Sequence, residues 1–394
     1  MKKLIFIFEN FFIERDFDRF GIQFFLDNKI DVEVWDITEF CNKNFDRLVK
    51  PVDEAKGDYI KKFKNAHDIK IAFNNLKNTS LFAVYININI NTLLIFRLLT
   101  KHKIKYFLHS GPLYSSPVWA KRSFLKRIKT FFNKSPADTL EYFQNMLLRI
   151  FSPRLFGISY IPIYFKDNKA ADNTISLKKK LIGRSTKIIQ SHHRDYDLYL
   201  KHRHKNNDDE KYRSDAVLID QNFGFHNDQI RVGEVMEPEK WYKSLKIFFD
   251  FLKNKYSIKT TFCAHPRSGG EMNSLISGYP IIKNKTPQLV KNCSFVICQS
   301  TTAINFAVLF KKPMIFIYNH IHMKIKNPKL NAGEAVRRTA SLFNKKPINI
   351  ESLSDFNLEK ELKIDENSYD RYRTEYIKSW GSDKTVDEII KELL

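Results

Sequence analysis

Three short apolar runs, Thr260–Ala264, Phe295–Cys298 and Met314–Tyr318, are each bounded by polar or turn residues. Continuous apolar runs of this length are the mark of strands buried on both faces, which is the situation in a parallel sheet. Between the second and third runs lies Thr302–Phe310, apolar on several sides, as expected of a helix packed on such a sheet. This stretch therefore predicts a β-loop-β-loop-α-β unit. That unit fixes the chain as α/β and tells which loops lie at the carboxyl ends of strands.

Open α/β sheets bind ligands in the crevice beyond those ends. His265-Pro266-Arg267 directly follows the first run, and Ser300-Thr301-Thr302 follows the second and opens the predicted helix, which also carries Asn305. Hydroxyls and backbone N–H groups at a helix start suit phosphate, and His265 and Arg267 add donors and positive charge. Read singly, Ser300 is a helix cap and His265 a turn residue. Their positions on adjacent strand ends favour a shared anion site.

The amino-terminal half repeats the pattern. Leu4–Phe8 is a predicted strand, Phe17–Asn28 a helix and Asp31–Trp35 a second strand, a Rossmann-like opening without the glycines of a dinucleotide fingerprint. Further strands are expected at Leu81–Ile86, Lys105–Leu108 and Lys187–Gln190, with a helix over Thr92–Lys101. Glu14, Asp16 and His109 lie on loops after strands and are the candidates for a general base. Leu140–Phe151 is an apolar helix. Trp119–Lys134 is a basic one, with Trp119, Phe124, Leu125, Ile128, Phe131 and Phe132 interleaved among its cations. That composition fits a membrane-surface helix and equally a core-packed helix with a solvated basic face.

Lys201–Arg213 is almost wholly polar and is the expected linker between domains 1–200 and 214–394. His192, His193, His202 and His204 beside it lack a ligand-completing Cys or Glu. Asp195-Tyr196-Asp197 matches the metal-binding Asp-x-Asp pair of another transferase fold but falls next to the linker. No metal and no cofactor is expected. The second half opens on the strand Ala216–Ile219, followed by Asp220-Gln221. Helices follow over Pro238–Lys255, Thr286–Val290, Leu353–Leu362, Tyr369–Trp380 and Val386–Leu394.

The formal net charge of +22, from 66 Lys+Arg and 44 Asp+Glu, calls for an anionic partner. Nucleic acid is disfavoured because the lysines are scattered and no helix-turn-helix, zinc-finger or RNP-like pattern occurs. The four cysteines have no metal spacing, and three fall in or beside predicted strands, as reduced buried thiols do. Met1-Lys2-Lys3 and the apolar residues after it resemble a signal peptide, but Glu9 and Asn10 break the run, so a first strand is expected. No run reaches the roughly 18–20 apolar residues of a membrane span. A cytoplasmic protein, peripheral on the inner membrane face where its basic helix touches lipid, is the expectation.

A strand ending in His-Pro, a strand ending in Ser-Thr at a helix start, and Lys311-Lys312-Pro313 leading into a third strand together resemble the nucleotide-binding domain of bacterial GT-B glycosyltransferases. The likeness covers roughly residues 214–330. Within that superfamily it is nearest to enzymes using CMP-activated acidic sugars, of the sialyltransferase, polysialyltransferase and Kdo-transferase type. The resemblance implies two Rossmann-like domains facing a cleft, metal-independent transfer, and a surface-glycan or lipid-linked acceptor held by the first domain. It implies a donor site at Asp220, Gln221, His265, Pro266, Arg267, Ser300, Thr301, Thr302 and Asn305. The acidic base motif of the sialyltransferases has no match in the first domain. Two alternatives stay open: a GT-B enzyme using a UDP-, GDP- or dTDP-sugar, with Glu334 as the candidate ribose-binding acid, and a non-enzymatic basic protein binding membrane or nucleic acid.

Overall fold

The computed structural model describes residues 3–42, 45–48, 50–51, 53–76, 80–110, 136–170, 177–204, 210–226, 237–324, 332–381 and 384–394. The expected basic helix Trp119–Lys134 lies outside these residues.

Two parallel sheets organise the chain. The first contains β1 (Lys3–Phe8), β2 (Asp31–Asp36), β3 (Ile60–Lys62), β4 (Ser80–Tyr85), β5 (Lys105–His109), β6 (Ile163–Lys166) and β7 (Lys187–Gln190), in the order β3-β2-β1-β4-β5-β6-β7. The second contains β8 (Ser214–Ile219), β9 (Thr260–Ala264), β10 (Ile281–Lys283), β11 (Cys293–Cys298), β12 (Met314–Tyr318) and β13 (Ile348–Asn349), in the order β10-β9-β8-β11-β12-β13. In both, the order reverses between the first and fourth strands, at β1/β4 and β8/β11. That reversal opens a crevice beyond the carboxyl ends of the strands.

Burial explains why the central strands read as unbroken apolar runs. Every residue of β9 is buried, as are Leu4–Phe8 of β1. Each sheet carries a core on both faces. Phe82, Tyr106 and Phe96 lie in one core of the first sheet, and Phe6, Phe25 and Phe107 in the other. The four strands that escaped the sequence reading, β3, β6, β10 and β13, have only two to four residues each, too few for a periodic signal.

The predicted helix Phe17–Asn28 is two helices, Glu14–Arg19 and Ile22–Asp27, parted at Gly21 with φ +61°. A Cβ there would collide with the Asp387 carboxylate. The C-terminal helix Val386–Lys391 crosses onto this spot, and its Val386 and Ile390 join the core of the first sheet. A connecting helix, Arg194–Arg203, runs between the sheets, with Tyr196 packed into the core of the second. The four cysteines are buried and form no disulfide. No helix among the described residues is long and apolar enough to cross a membrane.

Candidate functional site

The rim of the second sheet is built on the turn after β9. The backbone N–H of Arg267 donates to Nδ1 of His265 (3.2 Å). That bond leaves the ring proton on Nε2, where it can be donated. Burial, together with His226, Arg267, Arg15 and Lys283 nearby, holds the pKa of His265 well below the ordinary histidine value. The half-buried ring is therefore a neutral donor set among cations.

At the switch point, the side-chain amide of Gln221 after β8 donates to the backbone oxygen of Ser300 after β11. Asp220 beneath it accepts from the backbone of Asn222 (2.9 Å) and the hydroxyl of Tyr242 (3.2 Å). Burial pushes its carboxyl up to about 7 against those bonds. Asp220 thus shapes the turn from below, and Asn222 follows it in the left-handed region at φ +53°.

The expected helix start needs correction. The helix spans Ile304–Leu309, its N-cap is Ala303, and no side chain caps it. Ser300 is buried and its hydroxyl contacts Thr339 Oγ1 at 2.9 Å. Thr339 donates to the Ala335 carbonyl (2.9 Å), so the Ser300 proton points at Thr339. Thr301 Oγ1 accepts from Ala303 N (3.3 Å) in a local turn. Thr301 and Thr302 are half-exposed at the rim. Asn305 is buried and faces the connecting helix instead, donating to Asp195 Oδ2 (3.0 Å) and accepting from the Tyr372 hydroxyl (3.1 Å).

The first sheet presents a second cluster at the ends of β4, β5 and β6. His109 Nδ1 lies 2.9 Å from Asp167 Oδ1, and its Nε2 lies 3.1 Å from the Tyr85 hydroxyl. Ser110 Oγ donates to the other Asp167 oxygen (2.9 Å). Burial opposes the Asp167 charge, but His109 and Ser110 outweigh it and hold the carboxyl below its ordinary range. An ionised Asp167 fixes the His109 proton on Nδ1, so Nε2 is the accepting nitrogen. Arg194 Nη2 donates to the Tyr85 oxygen (3.1 Å), which directs the phenol proton toward His109. Arg194 is itself held by Asp387 (2.6 Å) and the Arg19 carbonyl (3.2 Å). Glu9, at the end of β1, accepts from Asn87 after β4 on the same edge.

Ion pairs join the two rims. Arg267 Nη2 meets Asp16 Oδ2 at 3.0 Å, and Arg15 meets Asp16 Oδ1 at 3.1 Å. Burial opposes the Asp16 charge, but Arg267, Arg15 and Arg19 hold its carboxyl below the ordinary range. Asp53 takes Lys283, the last residue of β10 (2.9 Å), and Asn284 directly after it (2.7 Å). Arg19 reaches Asp195 at 3.4 Å. The Nε atoms of Arg15, Arg19 and Arg267 are buried without a hydrogen-bond partner. The orphaned donors of Arg15 and Arg267, on guanidiniums beside His265, are what an anion would satisfy.

The structure thus gathers Asp16, His265 and Arg267 at one place and His109 at the neighbouring strand ends, while Glu14 is exposed. Pro266 lies in the same turn as His265. Glu334 pairs with Arg338 along its own helix (2.6 Å). Asp195 is absorbed by Arg19, His193 and Asn305, and Asp197 by His192 (2.6 Å) and the N-terminus of the last helix. Sequence reasoning missed Asp167, Tyr85, Arg194, Arg15 and Lys283. Asp167 follows a four-residue strand, and only the first strand's loop, already flagged at Glu14 and Asp16, pointed toward Arg15.

No family model and no curated protein matches the sequence. Among solved structures, the wall teichoic acid polymerase TagF is similar over 100% of this chain and 88% of its own, with 13% identity and a TM-score of 0.55. Methanocaldococcus jannaschii UDP-GlcNAc 2-epimerase, solved with UDP-GlcNAc and UDP, is similar over 100% and 99% of the two chains, with 14% identity and a TM-score of 0.51. A putative UDP-N-acetylglucosamine 2-epimerase from Listeria monocytogenes covers 99% and 94%, at 10% identity and a TM-score of 0.50. The two facing parallel-sheet domains and these likenesses define the fold as GT-B: two Rossmann-like domains around a cleft.

Proposed function

We propose that this chain is a GT-B glycosyltransferase that moves a sugar from a nucleotide donor to a hydroxyl of a surface-glycan or lipid-linked glycan acceptor. One observation carries the reading. The Arg267–Asp16 ion pair ties the turn that carries a neutral His265, ringed by Arg15, Arg267 and Lys283, to the first domain, whose own strand ends hold a buried His109–Asp167 pair. The first group suits a leaving phosphate and the second suits a general base.

Leaving-group charge would be met by the Nε2–H of His265, by Arg267 and by the rim hydroxyls Thr301 and Thr302, in a site partly shielded from water. In an inverting transfer, the acceptor hydroxyl gives its proton to the Tyr85 oxygen as the phenol proton passes to Nε2 of His109. Asp167 then stabilises the imidazolium. Asp16 is a weak base because cations already hold its charge. Glu14 is exposed and has no role in this scheme. Neither sheet needs a bound metal for these steps.

For the donor, the His265-Pro266-Arg267 and Ser300-Thr301 likeness favours CMP carrying an acidic sugar such as a sialic acid or Kdo. The second reading is a UDP-, GDP- or dTDP-sugar. It is favoured by the orphaned Nε donors of Arg15 and Arg267, which offer hydrogen bonds to more than one phosphate oxygen. The domains serving donor and acceptor are residues 214–394 and 1–200, joined by 201–213. The site of action proposed is the inner face of the cytoplasmic membrane, where such acceptors are made.

Thermal shift with CMP, UDP, GDP and dTDP on wild type and His265→Ala tests this. A ligand at 100 times its Kd stabilises by about 2.7 kcal/mol. Stabilisation by CMP alone, lost in the variant, supports the acidic-sugar donor. Stabilisation by one of the diphosphates supports the second reading. No response to any nucleotide refutes the transferase and leaves a basic binding protein.

A further inference from the structure

The helix Pro136–Ile150 is mounted with its polar side inward. Asn145 Oδ1 accepts the backbone N–H of Ile90 (3.0 Å), and Glu141 Oε1 accepts from Asn91 (3.1 Å). Leu148, fully buried, is its anchor in the core of the first sheet. The opposite side carries Leu140, Phe143, Leu147 and Ile150 at spacings of three, four and three, which is one stripe on a helix. Leu140 is 58% exposed, Phe143 44% and Ile150 60%, and the stripe continues through Phe151 to Leu155, 76% exposed, in the turn Pro153–Phe156. Six of the eleven large hydrophobic side chains exposed among the described residues fall between 140 and 160. Scattered exposed apolar residues need no explanation, but a concentration of this kind marks a contact surface.

Charge says what the surface fits. Residues 142–166 contain Arg149, Arg154 and Lys166 and no acid. The segment 177–190 contains Lys178, Lys179, Lys180, Arg184 and Lys187 and again no acid. Of these, Arg149, Arg154 and Lys180 lie at the end of the helix and its turn, while Lys178 is turned inward to the His109 carbonyl. Lys180 donates to the carbonyls of Arg149 and Ile150 at the helix end, and Arg154 stacks 4.5 Å over the ring of Tyr160. An apolar stripe with a cationic margin at its C-terminal end matches the headgroup boundary of an anionic bilayer, where apolar side chains enter and cations stay at the phosphates.

We propose that the helix Pro136–Ile150 and the turn Pro153–Phe156 form a contact with an anionic membrane surface, laying the Leu140–Phe143–Leu147–Ile150–Phe151 stripe into its interface. The contact is distinct from the expected one at Trp119–Lys134 and does not depend on the donor chemistry. It bears on the acceptor, because the loop that holds the helix, residues 86–92, follows β4 at the active edge of the first sheet. Asn87 of that loop donates to Glu9, at the end of β1.

The test is co-sedimentation of the full chain with vesicles of phosphatidylcholine alone and with phosphatidylglycerol added. Three proteins are compared: wild type, Phe143→Ser/Ile150→Ser, and Arg149→Gln/Arg154→Gln. Wild type is expected to pellet with the anionic vesicles only. The serine pair should weaken partitioning by about tenfold or more, and the glutamine pair should lose the preference for anionic lipid. Both variants should keep the wild-type melting temperature and nucleotide response, which separates this contact from the catalytic reading. Wild type remaining in the supernatant overturns the proposal. So does a serine pair that pellets unchanged. A dimer that the serine pair dissociates would assign the stripe to a second copy. A melting temperature lowered by several degrees, with lipid binding intact, would assign it to residues 111–135 of the same chain.

Discussion

Asp16→Asn is the perturbation that best separates the roles at the cleft. In the native chain the Asp16 carboxylate is buried and binds Arg267 at 3.0 Å and Arg15 at 3.1 Å. At an effective dielectric constant of 20, each contact is worth roughly 5 kcal/mol of gross attraction. Much of that offsets the cost of burying the charge. Breaking a buried pair typically costs about 3–5 kcal/mol. Here the side chains of Arg267 and Arg15 are 30% and 26% exposed and can rehydrate, so about 1–3 kcal/mol is expected. For domains of this size that is a fall in Tm of about 3–9 °C. The nucleotide should respond in the opposite direction. Asp16 competes with a phosphate for Arg267 and Arg15, so its removal should tighten nucleotide binding by about tenfold, or about 1.4 kcal/mol. Calorimetric unfolding and titration calorimetry on wild type, Asp16→Asn and Arg267→Met read both effects. Unchanged nucleotide affinity in both variants would remove Arg267 from the phosphate site. Turnover abolished in Asp16→Asn, with binding intact, would make Asp16 the base and refute its assignment as a held counter-ion.

Four further outcomes follow from the same geometry. Asp167→Asn removes the charge that fixes the His109 tautomer, so kcat should fall about 100-fold or more with little change in KM; steady-state kinetics on the donor found by thermal shift checks it. Asp220 titrates at about 7 when folded and near 3.8 when unfolded, so the folded state holds the extra proton between those values. Stability is therefore full at the acid end of that window and falls by about 4 kcal/mol as pH rises through it; Asp220→Asn should flatten this slope in urea titrations run from pH 4 to 7. Ser300→Ala should cost about 1 kcal/mol through its lost bond to Thr339, with nucleotide affinity intact; Thr302→Val at the rim should instead weaken nucleotide binding at unchanged stability.

The fold was legible where a strand is long and buried on both faces. β1, β4, β9, β11 and β12 each show as an apolar run because both sides of each strand meet a core. β6 was not legible, since Ile163–Lys166 is four residues long and follows a long segment with helical periodicity. Losing β6 lost Asp167, and with it the partner that turns His109 from a strand-end residue into half of a buried pair. The polar strand ends were correctly located, but the sequence cannot say which way a side chain turns. Ser300 and Thr302 are two residues apart, yet one faces Thr339 in the interior and the other the rim. Asn305 likewise turns to Asp195, on a helix 110 residues earlier, because only the packed domains bring those two together.

That last contact bears on how the two halves of the site are coupled. Asp195 and Arg194 are neighbours at the start of the connecting helix. Asp195 is held by Asn305 of the second domain and Arg19 of the first. Arg194 holds the Tyr85 hydroxyl that faces His109, and is braced by Asp387 of the C-terminal helix. The first turn of one helix therefore joins the domain interface to the proposed proton path. Any rotation of one domain against the other must pull on Asp195, and a shift of that turn moves Arg194 away from Tyr85. Without the Arg194 donor, the phenol proton is free to leave the line to Nε2. Orientation of the proposed base is thus tied to the arrangement of the domains that places Arg267 against Asp16, so the proposed proton path and the proposed anion site depend on the same interdomain geometry.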